Sequence, residues 1–195
     1  MNKEEIIAIE NRHYMPVFSR MPLVLERGEG CWVYDACGGK YLDFLAGIAV
    51  NALGHGDRRL AEAISRQAAR LIHCSSLFYT QEQSALVQKL VAISGFERVF
   101  LCNSGAEANE GAIKLARKYA HKNQPNKFKI IAADNSFHGR TLATLAATGS
   151  PKYHEGYRPL PPGFVHVAYG DAGALAGAMD GEVCAVLLEP IQGEG

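Results

Sequence analysis

The stretch Phe100-Leu101-Cys102-Asn103-Ser104-Gly105-Ala106-Glu107 holds the residues best suited to grip an anion. Ser104 and Glu107 have the spacing of a capping box, so a helix is expected to start just after Ser104. Gly105 and Ala106 lack bulk, which lets a phosphate approach the amides that the cap leaves over. A predicted strand, Arg98–Cys102, precedes them, and the carboxyl ends of strands in open α/β sheets are where such ligands bind. Taken alone, the same residues also describe an ordinary well-capped helix. The pattern is neither a Walker loop nor G-x-G-x-x-G, which argues against ATP and dinucleotides.

A second stretch, Asn135-Ser136-Phe137-His138-Gly139-Arg140-Thr141, follows the next predicted strand. There Phe137 can stack on a flat heteroaromatic ring. Arg140 can hold a carboxylate through two parallel hydrogen bonds. Singly, the two read as a partly buried phenylalanine and a surface arginine; it is their place beside a phosphate-type helix that favours chemistry. A third stretch, Glu189-Pro190-Ile191-Gln192-Gly193-Glu194, puts two carboxylates where a buried strand ends. They can meet a cationic group, or they can belong to a solvated turn that Pro190 and Gly193 would favour in either case.

Other chemistries find little support. His55, His73, His121, His138, His154 and His166 show no i, i+4 pairing with acidic partners, which disfavours a metal. Ser75, Ser76 and Cys102 lack a nucleophile-elbow context. The five cysteines are an odd number with no C-x-x-C pair, which points away from a disulfide framework or a zinc site.

The elements that must position these residues alternate. Lys3–His13 predicts a short helix. Three runs, Leu23–Glu26, Trp32–Asp35 and Tyr41–Phe44, are separated by glycines and predict a small antiparallel meander. From about Gly54 longer helices take over: Arg58–Ile72, Gln81–Ile93 with Leu86, Val87, Leu90, Val91 and Ile93 on its buried side, Ala106–His121, and Ala172–Met179. Strands are expected at Arg98–Cys102, Lys129–Ala133, Phe164–Ala168 and Val183–Leu188. Short strands rich in Val, Ile and Leu, bounded by helices, indicate an α/β fold with a mostly parallel sheet covered on both faces. Since the sequence stops shortly after a strand that should be central, the sheet is expected to be truncated.

Composition agrees with a chain that buries a core. It has 195 residues, 48% of them hydrophobic and 21% charged, with twenty basic residues against twenty acidic ones. A net charge of zero without a basic run removes the electrostatic case for nucleic acid. No apolar stretch is long enough for a membrane span, and Met1-Asn2-Lys3-Glu4-Glu5 is charged where a secretory signal would be apolar. A cytoplasmic protein is the default expectation.

Read in order, the three stretches resemble the class III (ω-amino acid) aminotransferases, which are pyridoxal-phosphate enzymes of fold type I. The resemblance continues through Tyr14-Met15-Pro16, Leu25–Gly30, Tyr41–Phe44, Gly47–His55 and Leu77–Thr80. It implies that residues 1–53 belong to a small domain and residues 54–195 to the N-terminal portion of a cofactor-binding large domain. It further implies pyridoxal 5'-phosphate held by Ser104, Gly105, Ala106, Phe137 and His138, and substrate met by Arg140, Glu189, Glu194 and Tyr79. The implied reaction moves the δ-amino group of N-acetylornithine to 2-oxoglutarate in arginine biosynthesis. Ornithine, succinylornithine and 4-aminobutyrate are alternative donors within the class, and a non-catalytic interaction module is the alternative outside it. A homodimer is implied for the full-length protein. The family's Schiff-base lysine and ring-nitrogen aspartate would lie beyond Gly195, so no catalytic lysine is expected in this chain and the chain alone is expected to be inactive. One loop departs from the family pattern, His55-Gly56-Asp57-Arg58 standing where His-x-His-Pro is usual.

Overall fold

Asn2, Asp57, Thr80, Ser104 and Asp171 each accept a hydrogen bond from the amide three residues on, and an α-helix begins after each. Such caps satisfy amides that the first turn of a helix leaves unpaired. A computed structural model describes residues 1–195 and divides them into two compact units, Met1–Tyr79 and Thr80–Gly195.

The first unit opens with α1 (Lys3–His13), closed at its N-terminus by a reciprocal Asn2–Glu5 capping box. The meander follows as β1 (Leu25–Glu29), β2 (Trp32–Asp35) and β3 (Lys40–Leu42), antiparallel in that order, with an irregularity between Leu25 and Arg27. Asp35 is the buried residue of this unit. Its carboxylate accepts from the Tyr41 hydroxyl and from the Gly39 and Cys37 amides. These bonds, the tyrosine's first, hold its pKa below the usual carboxylate range. Asp43 plays the same part further on, accepting from the Leu45 and Ala46 amides and, at 2.7 Å, from His55 Nε2. The unit ends with α2 (Arg58–Arg70) and the segment to Tyr79.

The second unit carries α3 (Gln81–Ser94), α4 (Gly105–Asn123), β4 (Lys129–Ala133), α5 (Leu142–Ala147), β5 (Phe164–Val167), α6 (Ala172–Ala178) and β6 (Val183–Leu187). Its sheet has the order β5-β4-β6 and both pairings are parallel, with Ile131 opposite Val165 on one side and Val186 on the other. Burial is concentrated on β4, where Ile130 to Ala133 are at most 1% exposed. A central parallel strand is covered on both faces, which is why Ile130–Ala133 reads as continuous apolar sequence rather than as an alternation. Ile113 and Ala120 of α4, Leu145 to Ala147 of α5 and Val183 of β6 complete the core. The α/β parallel-sheet expectation is met. No helix is long and apolar enough to cross a membrane.

Two expectations are corrected, and one element is added. Arg98–Cys102 is not a strand. The segment pairs with none of β4, β5 and β6, and Phe100 and Leu101 are exposed, so nothing covers this apolar run as a strand. The apolar side of α3 is not buried; Leu86 and Ile93 are exposed. Helical periodicity fixes which side is apolar, but burial needs an opposing surface. Finally, α5 occupies a stretch for which no element was expected. Six residues are too few to show a helical period, and packing on β4 and β5 supplies what propensity does not.

Candidate functional site

The amino end of α4 forms as its sequence dictates. Ser104 Oγ accepts from the Glu107 amide at 3.1 Å. The reciprocal arm of the capping box lands one residue early, because the Glu107 carboxylate takes the Asn103 amide at 2.6 Å instead of that of Ser104. Gly105 is the first helical residue, and open space surrounds the position a side chain would take there. The Gly105 and Ala106 amides are therefore left for an anion, at the positive end of a 19-residue helix.

The Phe137–Thr141 loop is pinned against this helix end. Asn109 Nδ2 donates to the His138 carbonyl at 2.7 Å. Glu110 accepts from the Thr141 hydroxyl. Between them Gly139, at φ +141°, packs so closely that a methyl there would lie 2.9 Å from Ala106 Cβ and 2.6 Å from Thr144 Oγ1. Ala106, Asn109 and Glu110 share one face of α4, as residues three and four apart do.

From below, buried hydroxyls fix the same loop. Ser136 Oγ donates to the Ala133 carbonyl and accepts from the Gly149 amide, while Thr148 Oγ1 accepts from the His138 amide at 3.0 Å. The Phe137 ring is half-buried and meets Tyr153 edge-on, with centroids 6.4 Å apart. The Arg140 guanidinium lies 5.8 Å from the Phe137 ring centroid, on an exposed residue. His138 is 4% exposed, and its Nε2 has no hydrogen-bond partner. Burial pushes its pKa down, against a smaller upward pull from the Glu189 carboxylate and with a small further push from His166.

The turn after β6 closes the constellation. Glu189 accepts from the Phe137 amide at 3.0 Å, and Gln192 Nε2 donates to the Asp134 carbonyl at 2.7 Å. The Tyr169 hydroxyl donates to the Glu189 and Pro190 carbonyls. A cavity of about 500 Å³ opens here at the carboxyl ends of the strands, with Tyr169, Asp171 and Glu189 among its lining residues.

Thus Ser104, Gly105, Ala106, Phe137, His138, Arg140 and Glu189 are gathered on one edge of the sheet of the second unit. Glu194 is exposed in the tail that follows, and Tyr79 is the last residue of the first unit, with its ring 99% exposed. Asn109, Thr148, Tyr169 and Gln192 were not singled out from sequence. Asn109 had a local signal, one helical turn after the capped start and on the face of Ala106; the others act through contacts that no spacing announces.

The donor set offers amides to a phosphate, an aromatic face to a ring and a guanidinium to a carboxylate. Comparison with known proteins points the same way. The family model described as Aminotransferase class-III matches residues 14–195. The chain is 55% identical over 195 residues to the acetylornithine aminotransferase of Methanothermobacter thermautotrophicus, covering 100% of this chain and 49% of that protein. It is 52% identical to the acetylornithine aminotransferase of Methanocaldococcus jannaschii, again covering 100% of this chain and 49% of the relative. The ornithine aminotransferase of Toxoplasma gondii, in a structure with partial occupancy of PLP at its active site, superposes with a TM-score of 0.93 at 34% identity, over 98% of this chain and 46% of that one. The chain spans about half the length of the curated relatives it matches.

Proposed function

The chain belongs to the class III aminotransferases, and on that footing we propose that it carries the phosphate grip, the ring face and the substrate clamp of a pyridoxal-phosphate-dependent amino transfer. The observation that carries this reading is the contact of Gly139 with Ala106, because it joins an anion-binding helix end to an aromatic and a guanidinium in one wall. Residues 54–195 are then the N-terminal portion of the cofactor-binding large domain, and residues 1–53 part of the small domain.

The residues fit the group. The Gly105 and Ala106 amides hold its phosphate, with Ser104 shaping the turn, and the missing side chain at 105 leaves room for the oxygens. Phe137 presents a ring face to the pyridine, while His138 holds the loop backbone from beneath through its amide and carbonyl. Pyridoxal phosphate, when bound, supplies the electron sink for the proton shift of transamination. Arg140 orients the substrate by its carboxylate. Glu194 and Tyr79 belong to the substrate side in this reading, while Glu189, which the resemblance also puts there, has its carboxylate on the Phe137 amide.

N-acetylornithine is the favoured donor, with 2-oxoglutarate as acceptor, because relatives more than half identical bear that name. Ornithine is the second reading, supported by the superposition on an ornithine aminotransferase. A homodimer in a cytoplasmic setting is part of the same proposal. The test joins this chain to the C-terminal half of the Methanothermobacter relative and compares N-acetylornithine, ornithine, succinylornithine and 4-aminobutyrate as donors to 2-oxoglutarate. The expected result is bound cofactor and the highest kcat/KM with N-acetylornithine. A folded hybrid that binds no pyridoxal phosphate would overturn the reading.

A further inference from the structure

We infer that Glu189 is a positioning residue whose carboxylate sets the Phe137 segment from across the sheet. The inference rests on the cofactor reading above and separates Glu189 from Glu194, which the family resemblance treats alike.

Three backbone groups beside Phe137 are satisfied by neutral side chains. Ser136 Oγ takes the Gly149 amide, Thr148 Oγ1 takes the His138 amide, and Asn109 Nδ2 serves the His138 carbonyl. The Phe137 amide alone goes to a carboxylate, Glu189 Oε2, at 3.0 Å. The other oxygen, Oε1, accepts a longer bond from the Gly193 amide at 3.5 Å. Both oxygens of Glu189 are thus directed at backbone amides, one in each of the two loops that flank the candidate site.

A carboxylate is required for this arrangement. It is acceptor-only and can serve two amides at once, whereas a glutamine would have to turn its own NH2 toward one of them. An ionised acceptor also makes an N–H bond roughly twice as strong as a neutral one. The main chain that carries Glu189 is itself fixed, since the Tyr169 hydroxyl donates to the carbonyls of residues 189 and 190. The Gln192 amide tethers the same turn to Asp134, at the end of β4. The path from Glu189 therefore runs through the Phe137 amide to the ring, and the Arg140 guanidinium lies 5.8 Å from that ring. Moving the amide moves the stacking face. Glu194, exposed, is the carboxylate that remains for a substrate cation.

The experiment uses Glu189→Gln, with Glu189→Asp as the second variant, which keeps the charge but draws it back by one methylene. Amide hydrogen exchange is read first, on the cofactor-free 195-residue chain. The expected result is exchange at Phe137 about tenfold faster in either variant, the scale of removing one charge-assisted bond, with Ile131 unchanged. The full-length holoenzyme hybrid is read second. There kcat should fall about tenfold, the visible circular dichroism of the bound cofactor should change, and KM for the amino donor should stay within about twofold. A raised KM with unaltered Phe137 exchange and an unaltered spectrum would make Glu189 a substrate contact and overturn the inference. Unchanged exchange and kinetics in both variants would overturn it as well. If the wild-type hybrid bound no cofactor, the family-based reading would fall, while the exchange result would still decide whether Glu189 holds Phe137.

Discussion

Ala106 and Gly139 are in such close approach that no side chain fits between them: a methyl on Gly139 would lie 2.9 Å from Ala106 Cβ. The contact joins the amino end of α4 to the loop that carries Phe137 and Arg140. The two motifs consequently behave as one wall, and a change at either residue is felt at both.

Gly139→Ala is expected to be costly. The new methyl would also come within 2.6 Å of Thr144 Oγ1, and φ at 139 is +141°, a region that side chains rarely enter. Overpacking and backbone strain together should destabilise the second unit by about 2–4 kcal/mol. Urea unfolding checks this, and a loss below about 0.5 kcal/mol, the size of an ordinary surface substitution, would show that the loop relaxes freely. Because the strain is relieved by separating the loop from α4, pyridoxal phosphate should bind more weakly to the variant holoenzyme.

Arg140 is expected to act on substrate rather than on cofactor. In a full-length holoenzyme, Arg140→Ala should lower kcat/KM for carboxylate donors by about 30-fold or more, the scale of removing a charge-assisted hydrogen bond from a partly desolvated site. The spectrum of bound pyridoxal phosphate should hardly change if the Arg140 guanidinium, which lies over the Phe137 ring at 5.8 Å from its centroid, serves the substrate carboxylate rather than the ring. Equal loss of cofactor binding, measured by equilibrium titration, would instead make Arg140 a support of the loop.

What sequence conveys well here is local. Ser104 and Glu107 announce the start of α4, and Lys129–Ala133 announces a strand buried on both faces; both lie where expected. Arg98–Cys102 is also strand-like in composition and forms none: a strand needs a paired neighbour and a covering surface, and here Phe100 and Leu101 lie exposed. The candidate site was legible as three separate motifs, but not as one object. The Glu189–Phe137 and Gln192–Asp134 bonds span more than fifty residues. Only the parallel register of β4 and β6 brings their ends together. The second arm of the capping box goes to Asn103, whose side-chain amide also donates to the Glu107 carboxylate.

Acid should weaken the second unit through His138. Burial lowers its pKa in the folded chain, so the native state stays neutral while the unfolded chain takes up a proton below its ordinary value of about 6.5. Stability from this group is complete above about pH 6.5 and is lost as pH falls toward the lowered folded value, with a slope of at most about 1.4 kcal/mol per pH unit. Glu189 and His166, the charged neighbours that act on it, pull in opposite directions. His138→Gln should flatten the dependence just below about pH 6.5. Asp35 and Asp43, whose pKa values are lowered by hydrogen bonds, belong to the first unit; their contribution is present above about pH 4 and lost below it, outside that window. An unchanged slope in the histidine variant would assign the effect to other groups.

Pyridoxal phosphate mixed with the 195-residue chain is expected to form no single reducible lysine adduct. Adduct formation needs a neutral amine close to the place where the phosphate and ring are held. Lys129 does not qualify: its Nζ is paired with Asp180 at 2.8 Å and Glu182 at 2.6 Å, and those bonds raise its pKa. It also lies at the amino end of β4, whereas Phe137 follows the carboxyl end. Lys152 is linked to Phe137 through ring contacts, since its Nζ lies 4.8 Å from the ring centroid of Tyr153, which in turn meets Phe137 edge-on. The Lys152 amine thus contacts the Tyr153 ring, and no contact ties it to the Phe137 ring itself. Borohydride reduction followed by peptide mapping should therefore recover scattered, substoichiometric adducts, with no amino transfer from N-acetylornithine above the free-cofactor background. A stoichiometric adduct at Lys152 with measurable transfer would show that the loop from Pro151 to Tyr153 can swing an amine into the site, and that these residues suffice for the chemistry.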